Sequence, residues 1–200
     1  VLIVSIAVIV SSCAKSDDSK TATTSTDNTT SSSEDSSDNS TTTSDNSTNT
    51  SDNSSSQSVP GVFVALAESG NIVRSTDNGS SWDNVTSPTA NDLNGVTFGN
   101  NTFVGVGASG NIIRSTNNGS SWDNATSPTA TNLYGVGFGN NTFIATGDQG
   151  NIVKSTDNGS SWDNATSPTG NNLKAVTFGN NTFVGVGASG NIIRSTNNGS

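Results

Sequence analysis

The chain has 200 residues, 28% of them hydrophobic and 12% charged, with a formal net charge of -9. A polar mass made of Ser, Thr, Asn and Gly suits turns and short strands better than helices, and the negative charge disfavours nucleic acid or an anionic membrane surface as partner. With no His, and Cys13 as the sole cysteine, these residues hold no Ser-His or Cys-His catalytic pair, no His- or Cys-based zinc site and no internal disulfide.

Residues 1–10, VLIVSIAVIV, are almost wholly apolar. At about 1.5 Å per residue such a run reaches only half of a ~30 Å hydrocarbon core, which is the length of a signal-peptide h-region. Val10-Ser11-Ser12-Cys13 follows, and resembles a bacterial lipobox: an aliphatic residue, two small residues, then the cysteine that is lipidated. The resemblance implies a signal segment over 1–13, acylation of Cys13, and export to a lipid-anchored place in the cell envelope. Ala14, where Asp is absent, points to the outer membrane or cell surface. An ordinary secretory signal and a shortened membrane helix are the competing readings. The chain opens without Met and ends inside a repeat, so it is expected to be a piece of a longer protein.

From Ala14 to Val59 only Ala14, Ala22 and Val59 are apolar, and there is no aromatic residue and no Gly. Such a segment buries too little surface to offset its ordering entropy. It is expected to be a disordered linker spanning roughly 40 Å on average. A glycosylated stalk is the alternative.

Everything from Gly61 onward repeats. GNIVRSTDNGSSWDN begins at Gly70, GNIIRSTNNGSSWDN at Gly110 and GNIVKSTDNGSSWDN at Gly150, with a fourth copy from Gly190, a period of 40. Residues 96–120 and 176–200 are identical. Each unit predicts four strands, here named A to D. In the best-defined unit these are Leu133–Phe138, Thr142–Gly147, Asn151–Ser155 and Ser161–Ala165, separated by turns at 139–141, 148–150 and 156–159. No stretch has helical apolar spacing. Four strands per 40 residues is the blade of a β-propeller, so the fold class is all-β, with partial propeller repeats over 61–200. A parallel β-helix is the rival. The first unit begins at strand B, since Phe63 aligns with Phe103, and its strand A is expected from the C-terminal end of the full chain.

Ser75–Trp82 and Ser155–Trp162 read STDNGSSW, and Ser115–Trp122 reads STNNGSSW. These strings resemble the Asp-box, or BNR repeat, of sialidases, sortilin-type receptors and photosystem II assembly factor-like propellers, most of all the last. The resemblance covers residues 61–200 and implies that the box forms the C–D hairpin on the outer rim. Its residues are then structural: Ser75, Asp77, Gly79 and Trp82; Ser115, Asn117, Gly119 and Trp122; Ser155, Asp157, Gly159 and Trp162. A short carboxylate in a tight turn accepts main-chain N–H bonds, Gly takes the left-handed position, and Trp buries a large ring. Asn117 departs from the pattern, and Asn serves as a turn acceptor in place of Asp. The loop lacks the several carboxylates of a calcium site, and neither metal nor cofactor is expected.

A sialidase-type glycoside hydrolase needs an arginine cluster and an acid/base pair. Arg74, Arg114, Lys154 and Arg194 hold one repeat position and read as solvated outer-strand charges. Copied blades do not supply the different side chains that catalysis needs, so no catalytic residue is assigned. The glycosidase remains the alternative, with its machinery in further blades. The favoured function is a non-catalytic scaffold that binds a protein or glycan, attached to the membrane through its lipid alone and binding no nucleic acid. The copies differ mainly in the D–A segments, the start of strand A and the B–C turns, which share one face of a propeller. Asp92, Tyr134, Asp148 and Lys174 are the candidate contacts there.

Overall fold

The computed structural model describes residues 61–199 and the backbone of residues 9–11. Cys13 and the 14–59 linker lie outside the described residues. Fifteen strands are described. Those of the first sheet are β1 (Ile9–Ser11), β2 (Val62–Leu66), β3 (Ile72–Ser75) and β4 (Asp83–Val85). The second sheet holds β5 (Leu93–Gly99), β6 (Thr102–Gly107), β7 (Ile112–Ser115) and β8 (Asp123–Ala125). The third holds β9 (Leu133–Gly139), β10 (Thr142–Gly147), β11 (Ile152–Ser155) and β12 (Asp163–Ala165). The fourth holds β13 (Leu173–Gly179), β14 (Thr182–Gly187) and β15 (Ile192–Ser195). Each sheet is an antiparallel meander in sequence order. Successive sheets touch chiefly through their first two strands, so they fan outward as the blades of a propeller.

Local chemistry sets the strand ends. At the A–B hairpins both turn residues have positive φ, as at Asn100 (50°) and Asn101 (57°). A two-residue turn of that hand matches the twist of the flanking strands, and Asn tolerates it. The B–C connections close as single 3-10 turns, for example Asp148–Gly150, where Asn151 N–H donates to the Asp148 carbonyl. That bond delays strand C to Ile152. Strand D starts at Asp163 rather than Ser161, because Ser161 and Trp162 belong to the preceding loop.

Three apolar layers lie between the four sheets. Val64, Leu66 and Ile72 of the first blade meet Phe103, Ile113 and Trp122 of the second. Val104, Val106 and Ile112 meet Phe143, Val153 and Trp162 of the third. Ile144 and Ile152 meet Leu173 and Phe183 of the fourth. The alternation along strand B therefore sends Phe103 and Val104 into different layers, and each such residue contributes about 1.5–3 kcal/mol when fully buried.

The inner position of the first blade differs from the sequence expectation. It is filled by β1, with Ile9 opposite Val64, Val10 opposite Phe63 and Ser11 opposite Val62. In the second blade Phe98 pairs with Phe103, so Val10 takes the register position of Phe98. The run that reads as an h-region is rich in Val and Ile, and β-branched residues also suit a strand. The edge of β2 offers main-chain groups for pairing, and in this structure β1 takes them.

Candidate functional site

The C–D hairpins are built by one hydrogen-bond pattern. The buried Ser75 hydroxyl donates to Asp77 Oδ1 (2.7 Å) and accepts from Gly79 N–H (2.9 Å). Asp77 Oδ1 also accepts from Ser81 N–H (2.9 Å), and Oδ2 accepts from the Ser81 hydroxyl (2.6 Å). The Trp82 indole N–H closes the loop on the Gly79 carbonyl at 3.2 Å. Asp157 repeats these contacts. Donors from Ser81 and Ser75 lower the Asp77 carboxyl to a pKa of about 2, and Ser161 does the same for Asp157. At Asn117 the polarity of one bond reverses. Its Oδ1 still accepts from Ser121 N–H (3.0 Å), but its Nδ2 donates to the Ser121 hydroxyl (2.8 Å).

These boxes also join neighbouring blades. Arg74 Nε donates to the Asn118 carbonyl at 2.6 Å, and Arg114 Nε to the Asn158 carbonyl at 2.7 Å. Asn100 Nδ2 donates to Asn158 Oδ1 at 2.8 Å. A Cβ on Gly119 would stand 2.7 Å from Val64 Cγ2, closer than atoms pack, so the loop needs glycine to sit on strand B of the preceding blade. Arg74 and Arg114 are thus not solvated outer-strand charges. Each is half-buried, and each spans a blade interface. Sequence reasoning missed this role, and the available signal was the recurrence of a basic residue and a box Gly in register.

On the opposite end of the blades, D–A segments meet B–C turns. Asp92 Oδ1 accepts from Ser69 N–H at 2.8 Å. Asn132 and Asn172 do the same for Ser109 (3.0 Å) and Gln149 (2.8 Å). Asp92 therefore occupies a junction acceptor position that recurs in each copy. The other three candidates come together. Tyr134 Oη donates to Asp148 Oδ1 at 2.7 Å, and Lys174 Nζ lies 4.0 Å from the same oxygen. Lys174 Nζ also stands 3.3 Å above the centre of the Tyr134 ring, a cation–π contact. Asn132, absent from the sequence-derived candidates, donates from Nδ2 to Asp148 Oδ2 at 3.1 Å. One carboxylate thus holds a phenol and an amide, with an ammonium close by. Lys174 is half-exposed, which leaves its ammonium open to a ligand.

A cavity of about 340 Å³ opens between the third and fourth blades, walled by Ile144, Ile152, Phe183 and Ile193. Its one charged wall residue is Arg194, so it holds no acid/base pair. Among the described residues no three His, Cys, Asp or Glu side chains gather as metal ligands.

No family model matches the chain, and no curated protein is similar to it. Solved structures are similar in fold. A catalytically inactive virginiamycin B lyase from Staphylococcus aureus, solved with quinupristin, is 20% identical with a TM-score of 0.54, over 68% of this chain and 53% of that one. A nidogen/laminin complex gives 13% and 0.55, over 67% and 57%. YCF48 bound to D1 peptide gives 16% and 0.50, over 70% and 46%. The chain spans about half the length of each. All three are propeller proteins, and at these identities the likeness shows the fold.

Proposed function

We propose that this chain is a non-catalytic binding scaffold carried at the bacterial cell envelope, with its ligand, a protein or glycan, received around Tyr134, Asp148 and Lys174. One observation carries the reading: side chains that differ between copies converge at one point, while those that recur serve the blades. Tyr134 replaces Asn94 of the second blade, whose Nδ2 donates instead to the Leu133 carbonyl of the next strand A at 2.8 Å. Asp148 stands where the second and fourth blades have Ala108 and Ala188. Nidogen with laminin and YCF48 with the D1 peptide are propellers solved with protein-derived partners, which favours a protein ligand. The Asp-box and lipobox resemblances supply the envelope setting, with Cys13 as the anchor. Arg74 and Arg114, which a sialidase would turn toward a substrate carboxylate, are engaged between blades.

The test uses the full chain against a glycan array and immobilised envelope proteins. A ligand that loses at least tenfold in affinity with both Tyr134→Ala and Lys174→Glu, at unchanged β-sheet circular dichroism, supports the reading. Binding indifferent to both substitutions, or turnover of a sialoside, overturns it.

A further inference from the structure

Strand D of each of the first three blades runs into an Asn-x-Thr triplet: Asn84-Val85-Thr86, Asn124-Ala125-Thr126 and Asn164-Ala165-Thr166. Asn-x-Ser/Thr is the acceptor pattern of N-glycosylation, and it is usable only where both the amide and the hydroxyl lie at the surface. Strand D meets that need. It is the last strand of its sheet, as β4, β8 and β12 are, so one of its edges has no strand of that sheet beside it. Exposure alternates along it: Asn124 and Thr126 are exposed, and Ala125 between them packs on the apolar layer. Ala165 does the same between Asn164 and Thr166, and Val85 between Asn84 and Thr86. Period-two alternation thus sets amide and hydroxyl together on one open side. The second and third blades are packed on both faces by neighbouring blades, and their Asn and Thr stay exposed all the same.

The same pattern elsewhere in the blades is closed. In Asn100-Asn101-Thr102 and Asn140-Asn141-Thr142 the threonines are 2% and 3% exposed, and their hydroxyls donate to the Asn100 and Asn140 carbonyls. In Asn158-Gly159-Ser160 the Asn158 Oδ1 accepts from Asn100 Nδ2 and its carbonyl accepts from Arg114, so this asparagine is held between blades. On strand D only Asn124 is engaged, by one exposed bond from Nδ2 to the Pro88 carbonyl at 3.0 Å. We infer that Asn84, Asn124 and Asn164 carry N-linked sugar, one site on the outer strand of each blade. The donor is an activated glycosyl phosphate. Nδ2 bonds to the anomeric carbon and gives up a proton, while the bond from that carbon to the phosphate oxygen breaks and phosphate leaves with the electron pair. The sugar then covers the edge of strand D, whose main-chain groups would otherwise be open to pairing with another chain.

Peptide mapping by mass spectrometry tests this, on the full protein isolated from the cells that produce it. Fragmentation that keeps the sugar attached should place it on the amides of Asn84, Asn124 and Asn164, with Asn100 and Asn140 bare. Thr166→Ala should leave Asn164 bare and the sugar at Asn84 and Asn124 unchanged. Thr166→Ser should keep the sugar at Asn164, because the hydroxyl is retained. Both substitutions fall on an exposed side chain, and unchanged β-sheet circular dichroism verifies that the blades still form. Three bare asparagines on strand D overturn the inference. So do sugar on the threonine hydroxyls in place of the amides, equal filling of Asn100 and Asn140, or sugar at Asn164 that survives Thr166→Ala.

Discussion

Arg74 and Asn118 stand 44 residues apart and are joined by a 2.6 Å hydrogen bond from the guanidinium to a main-chain carbonyl. The separation is one repeat plus four residues, so a local motif in one blade is completed by the arginine of the blade before it. Each box thereby serves two sheets: its Ser and Asp shape its own hairpin, and its carbonyl and glycine meet the neighbour.

Removing that link should loosen the stack and spare the hairpins. Arg114→Met keeps most of the apolar stem and deletes the donor to Asn158. Hydrogen bonds that involve a charged group contribute about 1.5–3 kcal/mol, and the loss should fall in that range. Denaturant unfolding of the parent and variant reads it. A loss under about 0.5 kcal/mol would mean that water replaces the contact freely.

The boxes also predict an acid transition. Asp77 and Asp157 have folded pKa values of about 2, below the ordinary 3.8. A lowered folded value means that the carboxylate form favours the native state. Its contribution is complete above about pH 4 and disappears as the pH falls through 2. Asn117 shows that Asn fits the loop while carrying no charge. The double substitution Asp77→Asn, Asp157→Asn should therefore flatten the melting temperature between pH 4 and pH 2, where the parent declines. Parallel curves would remove these two groups from the acid response.

Much of the fold was legible because its signals are local. Gly-Asn-Asn marks each A–B turn, and alternation along Thr102–Gly107 separates the two layers. The short strand D was less legible, because Ser161 and Trp162 look strand-like and are held in the loop by bonds to Asp157 and Gly159. The Tyr134–Asp148 pair was half-legible. Both positions vary between copies, and antiparallel order brings the start of strand A beside the B–C turn. The arginine role was not legible within one unit, since its acceptor lies in the next copy.

The tryptophans should differ in weight although their hairpins match. Trp122 is buried between blades and packs on Phe103 with ring centres 6.2 Å apart. Trp82 makes a similar contact with Phe63 at 6.4 Å but has one open side. Trp122→Ala should cost about 3–5 kcal/mol, as buried aromatic truncations do. Trp82→Ala should cost less than half as much, because its ring is 41% exposed. Equal losses would mean that the indole acts through its own hairpin alone.

The last prediction turns on a conflict between two uses of one segment. Ile9–Ser11 is the inner strand of the first blade, and Val10-Ser11-Ser12-Cys13 is the stretch whose resemblance to a lipobox underlies the proposed envelope setting. If the chain is processed before Cys13, β1 is removed and the main-chain groups of Val62–Leu66 lose their partners on that side. An unpaired edge is easily exchanged and readily re-paired. A chain beginning at Cys13 should therefore show faster amide exchange along β2 than the unprocessed chain, while β6 and β10 exchange alike in both. Cys13→Ser should abolish acyl labelling and keep the slow exchange, because β1 stays attached. Equal exchange along β2 in the long and short chains would show that Ile9–Ser11 does not hold this edge in solution.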